Sequence, residues 1–150
     1  MTFFKRYLSS DDRKTLAAEI AQAERTCSGE IRVVFRHHRH WNERKLSVHE
    51  LAVREFHLLG MEKTVQRTGV LIFLMLSDRK FQIIADSGIH AKVEEGTWDE
   101  IAQALSGHFR EGKYLGGLRK AVVSVGAVLT QHFPIEPGDN DELPNDVIER

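Results

Sequence analysis

The sequence predicts an α/β fold on a small mixed β-sheet, a parallel crossover plus an antiparallel hairpin, flanked by about four helices. Three observations carry this. Two runs with strand patterning, Glu30–Arg36 and Gly69–Leu76, are separated by a segment of helical periodicity, the order of a parallel crossover. After the second run and a short polar break, Ser77-Asp78-Arg79-Lys80, apolar residues recur at alternate positions, the order of a hairpin. Further segments of helical spacing then stand on both sides of this block.

Each element has its own signal. Ser9 and Ser10 followed by Asp11 and Asp12 supply acceptors and negative charge where a helix begins, and Leu16, Ile20 and Ala23 follow at helical spacing until Ser28-Gly29 stops it. In the first strand Ile31, Val33 and Phe35 alternate with Arg32 and Arg36, the pattern of a strand covered on one face. Ser47-Val48-His49-Glu50 is a capping box opening a second helix, whose Val48, Leu51, Ala52 and Leu59 form one stripe before Gly60. Val70–Leu76 is unbroken apolar sequence, as expected of a central strand buried on both faces. Phe81, Ile83 and Ala85 make the third strand, antiparallel to the second. Thr97-Trp98-Asp99-Glu100 is a further capping box, with Trp98, Ile101, Ala102, Leu105 and Phe109 on one face and Gly112 at the end. Leu118, Val122, Val125 and Leu129 define a last helix running to His132-Phe133-Pro134.

Composition narrows the class. With 150 residues, 41% hydrophobic, 29% charged and one cysteine, the chain is a single globular domain that needs no disulfide framework. A formal charge of −1 provides no overall field toward nucleic acid or an anionic membrane. The charge is unevenly spread, since the stretch from Pro134 carries six acids and one base. We read residues 135–150 as a flexible acidic tail on a domain of residues 1–134. No apolar run approaches the ~20 residues of a membrane helix, and the start lacks the pattern of a secretory signal, so a soluble, cytoplasmic protein is expected.

The order of several short motifs resembles the TPM domain family. They are Ser28-Gly29-Glu30-Ile31-Arg32-Val33, Arg67-Thr68-Gly69-Val70-Leu71-Ile72, Asp78-Arg79-Lys80 and Ala85-Asp86-Ser87-Gly88-Ile89, extended by Trp98, Phe109 with Gly112, Gly116-Gly117-Leu118 and His132-Phe133-Pro134. The resemblance implies a three-layer α/β/α sandwich, divalent-cation binding (calcium especially) in some members, and acid phosphatase activity claimed for thylakoid members. It also implies action through a protein partner, a membrane protein among the candidates. This chain reads Asp86-Ser87-Gly88 where many members read Gly-x-Gly.

Strand direction sorts the candidate chemistry into two groups. Glu30 opens the first strand, Arg67 precedes the second and Asp86 follows the third, so all three are expected at one sheet edge, with Gly29, Gly69 and Gly88 letting backbone carbonyls approach. Glu94, Glu95 and Asp99 lie on the segment leaving that edge. Oxygen donors on loops suit calcium or magnesium, calcium taking 6–8 oxygens at about 2.3–2.6 Å. The candidate metal ligands are thus Glu30, Asp86, Glu94, Glu95 and Asp99, with Arg67 as a possible anion contact. The plainer alternative pairs Glu30 with Arg67 and leaves Glu94, Glu95, Asp99 and Glu100 as acids favouring a helix start.

The opposite edge carries Arg36-His37-His38-Arg39-His40-Trp41, Arg44, Lys45 and the Asp78-Arg79-Lys80 turn. A phosphate or RNA contact there would use Arg36, Arg39 and Trp41, although such a run is more commonly a solvated loop. His37, His38 and His40 lack a fourth ligand, so adventitious metal is the expectation. Cys27 and Arg32 are separated by four residues, one short of the cysteine phosphatase loop. The chain has no EF-hand, P-loop or nucleophile-elbow motif.

Three functional readings follow in order. The first is a non-catalytic calcium- or magnesium-binding domain acting through partners, with no nucleic acid and a monomeric state expected. The second is a weak metal-dependent acid phosphatase, with Arg67 holding the phosphate. The third is a basic-loop phosphate or RNA binder.

Overall fold

The computed structural model describes residues 8–64, 66–135 and 147–150. Four strands form one mixed sheet in the order β3-β2-β1-β4. They are β1 (Glu30–Arg36), β2 (Gly69–Met75), β3 (Lys80–Ala85) and β4 (Ile148–Glu149). β1 pairs with β2 in parallel from Glu30↔Gly69 to Arg36↔Met75, and β2 pairs with β3 antiparallel from Val70↔Ala85 to Met75↔Lys80.

Among the described residues, the α-helices are α1 (Ser10–Glu24), α2 (Val48–Leu58), α3 (Ser87–His90), α4 (Glu95–Arg110) and α5 (Tyr114–His132). The extra member relative to the sequence expectation is α3, a single turn too short to show apolar periodicity. Ser9 caps α1 by the full reciprocal box with Asp12, whereas at α2 the Ser47 hydroxyl accepts from the Glu50 amide. α1 stops at Glu24, ahead of Ser28-Gly29. α4 begins at Glu95, before Thr97, so the proposed capping box lies inside the first turn. Gly60 and Gly112 take left-handed backbone and end α2 and α4, as expected.

Side-chain alternation along the strands builds two cores. Ile31, Val33, Phe35, Val70, Ile72 and Leu74 face α1, α4 and α5, joined by Leu16, Ile20, Leu105 and Val122. Val34, Leu71, Phe73 and Met75 face α2, where Leu51, Phe56 and Met61 cover them. Helices therefore cover both faces, giving the three-layer sandwich.

β1 differs from its expected half-covered state: all seven residues are buried, Arg32 and Arg36 included. The face carrying these arginines lies under α2, and Arg36 meets Glu43 there at 2.6 Å. A charged side chain in such a place is tolerated because it is ion-paired.

The acidic tail lies partly outside the described residues, which omit 136–146. Its end is part of the sheet, since Ile148 and Glu149 pair in parallel with Val34 and Phe35. Cys27 and Pro134 form an isolated bridge.

Candidate functional site

The β2–β3 hairpin sets one candidate edge. Its register places Asp86 opposite Gly69, and the Asp86 amide donates to the Gly69 carbonyl at 3.0 Å. Asp86 then caps α3, its carboxylate accepting from the Ser87 amide at 2.7 Å. Arg67, two residues before β2 and in left-handed backbone, closes a two-pronged clasp on the same carboxylate, with Nε and Nη2 at 2.9 and 3.2 Å. The ion pair at this edge is therefore Arg67–Asp86, replacing the expected Glu30–Arg67.

The clasp is asymmetric. The Asp86 side chain is 6% exposed and the Arg67 side chain 49%. Hydrogen bonding to Asp86 holds the Arg67 guanidinium above its ordinary pKa. Arg67 therefore stays cationic beside Asp86, with half of its side chain open to solvent.

Close backbone contacts fix the surrounding loops. A Cβ at Gly88 would stand 2.1 Å from the Gln66 carbonyl oxygen and 2.6 Å from that of Arg67. The Gly88 amide uses this proximity to donate to the Arg67 carbonyl at 3.0 Å. A Cβ at Gly29 would meet the Thr68 carbonyl oxygen at 3.1 Å, and the Thr68 hydroxyl donates to the Ser28 carbonyl at 3.2 Å. The expected convergence of glycines and carbonyls is present.

The five candidate acids do not form one ligand set. Glu30 is buried on β1 opposite Gly69, on the far side from Asp86. Met61 fills the space over Gly69, its carbonyl oxygen 3.1 Å from where a Cβ there would be. Glu94, Glu95 and Asp99 are exposed at the start of α4. Among the described residues, no group of three or more His, Cys, Asp or Glu side chains could hold a metal ion. Side chains alone therefore do not complete a calcium shell, although the oxygen chemistry at Asp86 and the carbonyls around Gly88 suits a hard cation.

The opposite edge is closed by ion pairs. Arg36 is bound by Glu43, and Arg39 reaches Asp78 at 2.8 Å and donates to the Glu43 and Leu46 carbonyls. Arg36 donates a hydrogen bond that holds Glu43 below its ordinary carboxylate pKa, and Arg39 does the same for Asp78. His37 meets Glu149 at 2.5 Å. Trp41 is 82% exposed, yet the two arginines that a phosphate or RNA contact needs are committed inward. Glu43 supplied no motif on its own, but its three-residue offset from His40 matches the reciprocal contact that the structure forms.

The family model of the TPM domain matches residues 1–128. The chain belongs to the TPM domain family. This TPM domain superimposes with a TM-score of 0.86 on the NMR structure of the BA42 protein from the psychrophilic bacterium Bizionia argentinensis, at 32% identity over 96% of each chain. The N-terminal domain of a P. gingivalis protein shares the fold at TM-score 0.67 and 21% identity, over 85% of this chain and 79% of that one. The N-terminal domain of cg2496 from Corynebacterium glutamicum does so at 0.62 and 15%, over 84% and 76%. No curated protein matches. No helix among the described residues is long and apolar enough to cross a membrane.

Proposed function

We propose that this TPM domain is a non-catalytic binding module that takes a divalent cation, calcium or magnesium, at Asp86 in place of the Arg67 guanidinium, and acts through a protein partner. The observation that carries this reading is the asymmetry of the clasp: a nearly buried carboxylate whose counter-charge is half exposed. Beside the Ser87 amide it accepts from, the nearly buried carboxylate is stabilised by a positive charge, and a metal ion can supply that charge as Arg67 does. Asp86 would hold the ion, with main-chain carbonyls near Gly88 and water completing its oxygen shell.

Glu30, Glu94, Glu95 and Asp99 have smaller parts in this reading. The three exposed acids raise local cation concentration, while Glu30 belongs to the sheet interior. The phosphatase alternative is weaker, because the guanidinium meant to hold phosphate is already engaged by Asp86.

The test is a calcium titration followed by amide chemical shifts, with magnesium and inorganic phosphate as comparison titrants. Saturable shifts are expected at 28–30, 66–69 and 86–95 with calcium or magnesium and not with phosphate. Shifts confined to 136–146, or none at all, overturn the assignment.

A further inference from the structure

Residues 147–150 lie along the outer edge of β1 as a bound peptide does. The Arg150 amide donates to the Phe35 carbonyl at 2.7 Å, and the His37 amide donates to the Arg150 carbonyl at 3.1 Å. A two-residue strand has little stability of its own, so the side chains must supply the rest. Successive side chains point to opposite faces and find different partners. The half-buried Ile148 packs against the core under α2, Glu149 meets His37 at 2.5 Å and Arg13 of α1 at 3.5 Å, and Arg150 meets Glu55 of α2 at 2.8 Å.

Glu55 supplies the ionic part of this contact. Its side chain is 4% exposed, whereas that of Arg150 is 48% exposed. With the segment in place, a buried Glu55 carboxylate of α2 is thus neutralised by a half-exposed guanidinium carried by residues 147–150. Closer to the start of β1, the edge is closed differently: the buried Glu24 carboxylate accepts from the Ile31 amide at 2.7 Å. Among the described residues, the separate segment pairs with the far half of the strand edge.

We propose that the outer edge of β1 is a peptide-binding site for extended segments of aliphatic–acidic–basic sequence, occupied in cis by residues 147–150 and available in trans to a partner carrying the same pattern. Strand addition supplies main-chain affinity, and the alternating pockets supply specificity. The aliphatic residue packs against the core under α2, the acid faces His37 and Arg13, and the base neutralises Glu55. This site lies at the opposite edge from Asp86 and does not depend on cation binding there.

The experiment uses the full chain, isotope-labelled, with Arg150→Ala to weaken the resident segment, titrated with an unlabelled peptide of residues 144–150. Saturable shifts are expected at Arg13, Phe35–His37 and Glu55. Binding should be about tenfold tighter than to the unsubstituted chain, whose own segment competes. The same peptide ending in Glu should not bind, and Glu55→Gln in the domain should remove the preference for a terminal Arg over Gln. Absence of saturable shifts, or equal binding of the charge-reversed peptide, overturns the proposal. Should Arg150→Ala fail to fold, hydrogen exchange on the unsubstituted chain decides: the Arg150 amide must exchange faster than the β1–β2 ladder, and equal protection contradicts an exchangeable segment.

Discussion

The two edges of the sheet are closed by different physics. At the edge bearing Asp86, the Arg67–Asp86 pair is backed by loops that meet where a side chain is missing: the Gln66 and Arg67 carbonyl oxygens lie 2.1 and 2.6 Å from where a Cβ of Gly88 would be. At the other edge, loops are tied by long side chains, Arg36 to Glu43, Arg39 to Asp78, and His37 to Glu149. The Gly88 contact has no slack, because the atoms it meets are backbone and cannot rotate away. An ion pair can rearrange and can be titrated. The first edge should therefore fail abruptly on substitution, and the second gradually with chemistry and pH.

The sharpest contrast is expected from Gly88→Ala. Its new methyl group meets two carbonyl oxygens inside van der Waals contact, so the loss should reach about 3 kcal/mol or more in urea unfolding. A loss under about 1 kcal/mol would show that this edge yields as easily as the other. Next in size, Glu43→Gln leaves the largely buried Arg36 without its carboxylate and should cost about 1–3 kcal/mol by the same measurement. An unchanged midpoint would place the closure of that edge elsewhere.

Acid should act on the ion-paired edge in a defined direction. Glu43 and Asp78 are both held below their ordinary pKa values by arginine hydrogen bonds. A carboxylate depressed in the folded state contributes fully above its unfolded pKa and loses that contribution as pH falls through its folded pKa. Amide protection over His40–Leu46 should therefore fall as pH drops below about 4. Carboxyl resonances of Glu43 and Asp78 titrating at ordinary values would contradict this. The smallest effect is expected at Gly107, within α4, where a Cβ meets nothing within 4 Å. Gly107→Ala should stabilise the chain by about 0.5–1 kcal/mol, which separates glycines that enforce close contact from one that does not.

The same contrast explains what the sequence disclosed. Period-2 and helical patterning located three strands and the longer helices, because those patterns record burial at short separation. Gly29, Gly69 and Gly88 marked their edge correctly for the same reason. The Arg67–Asp86 pair was also within reach, since constant register across the hairpin puts Asp86 opposite Gly69, two positions from Arg67. The five acids looked like one ligand group only because a list of acids near an edge does not reveal Met61 standing over Gly69. β4 left no trace: two residues are too few for a period, and their partners Val34 and Phe35 lie far back in the chain. The ion pairs of the basic loop were equally invisible, as Arg39 and Asp78 are 39 positions apart.

The measurement that most directly tests the account is calcium affinity in two opposed variants, Arg67→Gln and Asp86→Asn. If Arg67 is the internal cation that calcium replaces, removing it should tighten binding by about tenfold, while Asp86→Asn should abolish saturable binding with the fold retained. Calcium affinity that is unchanged in both variants, or lowered by Arg67→Gln, would contradict cation exchange at Asp86 and leave the clasp as a purely structural tie.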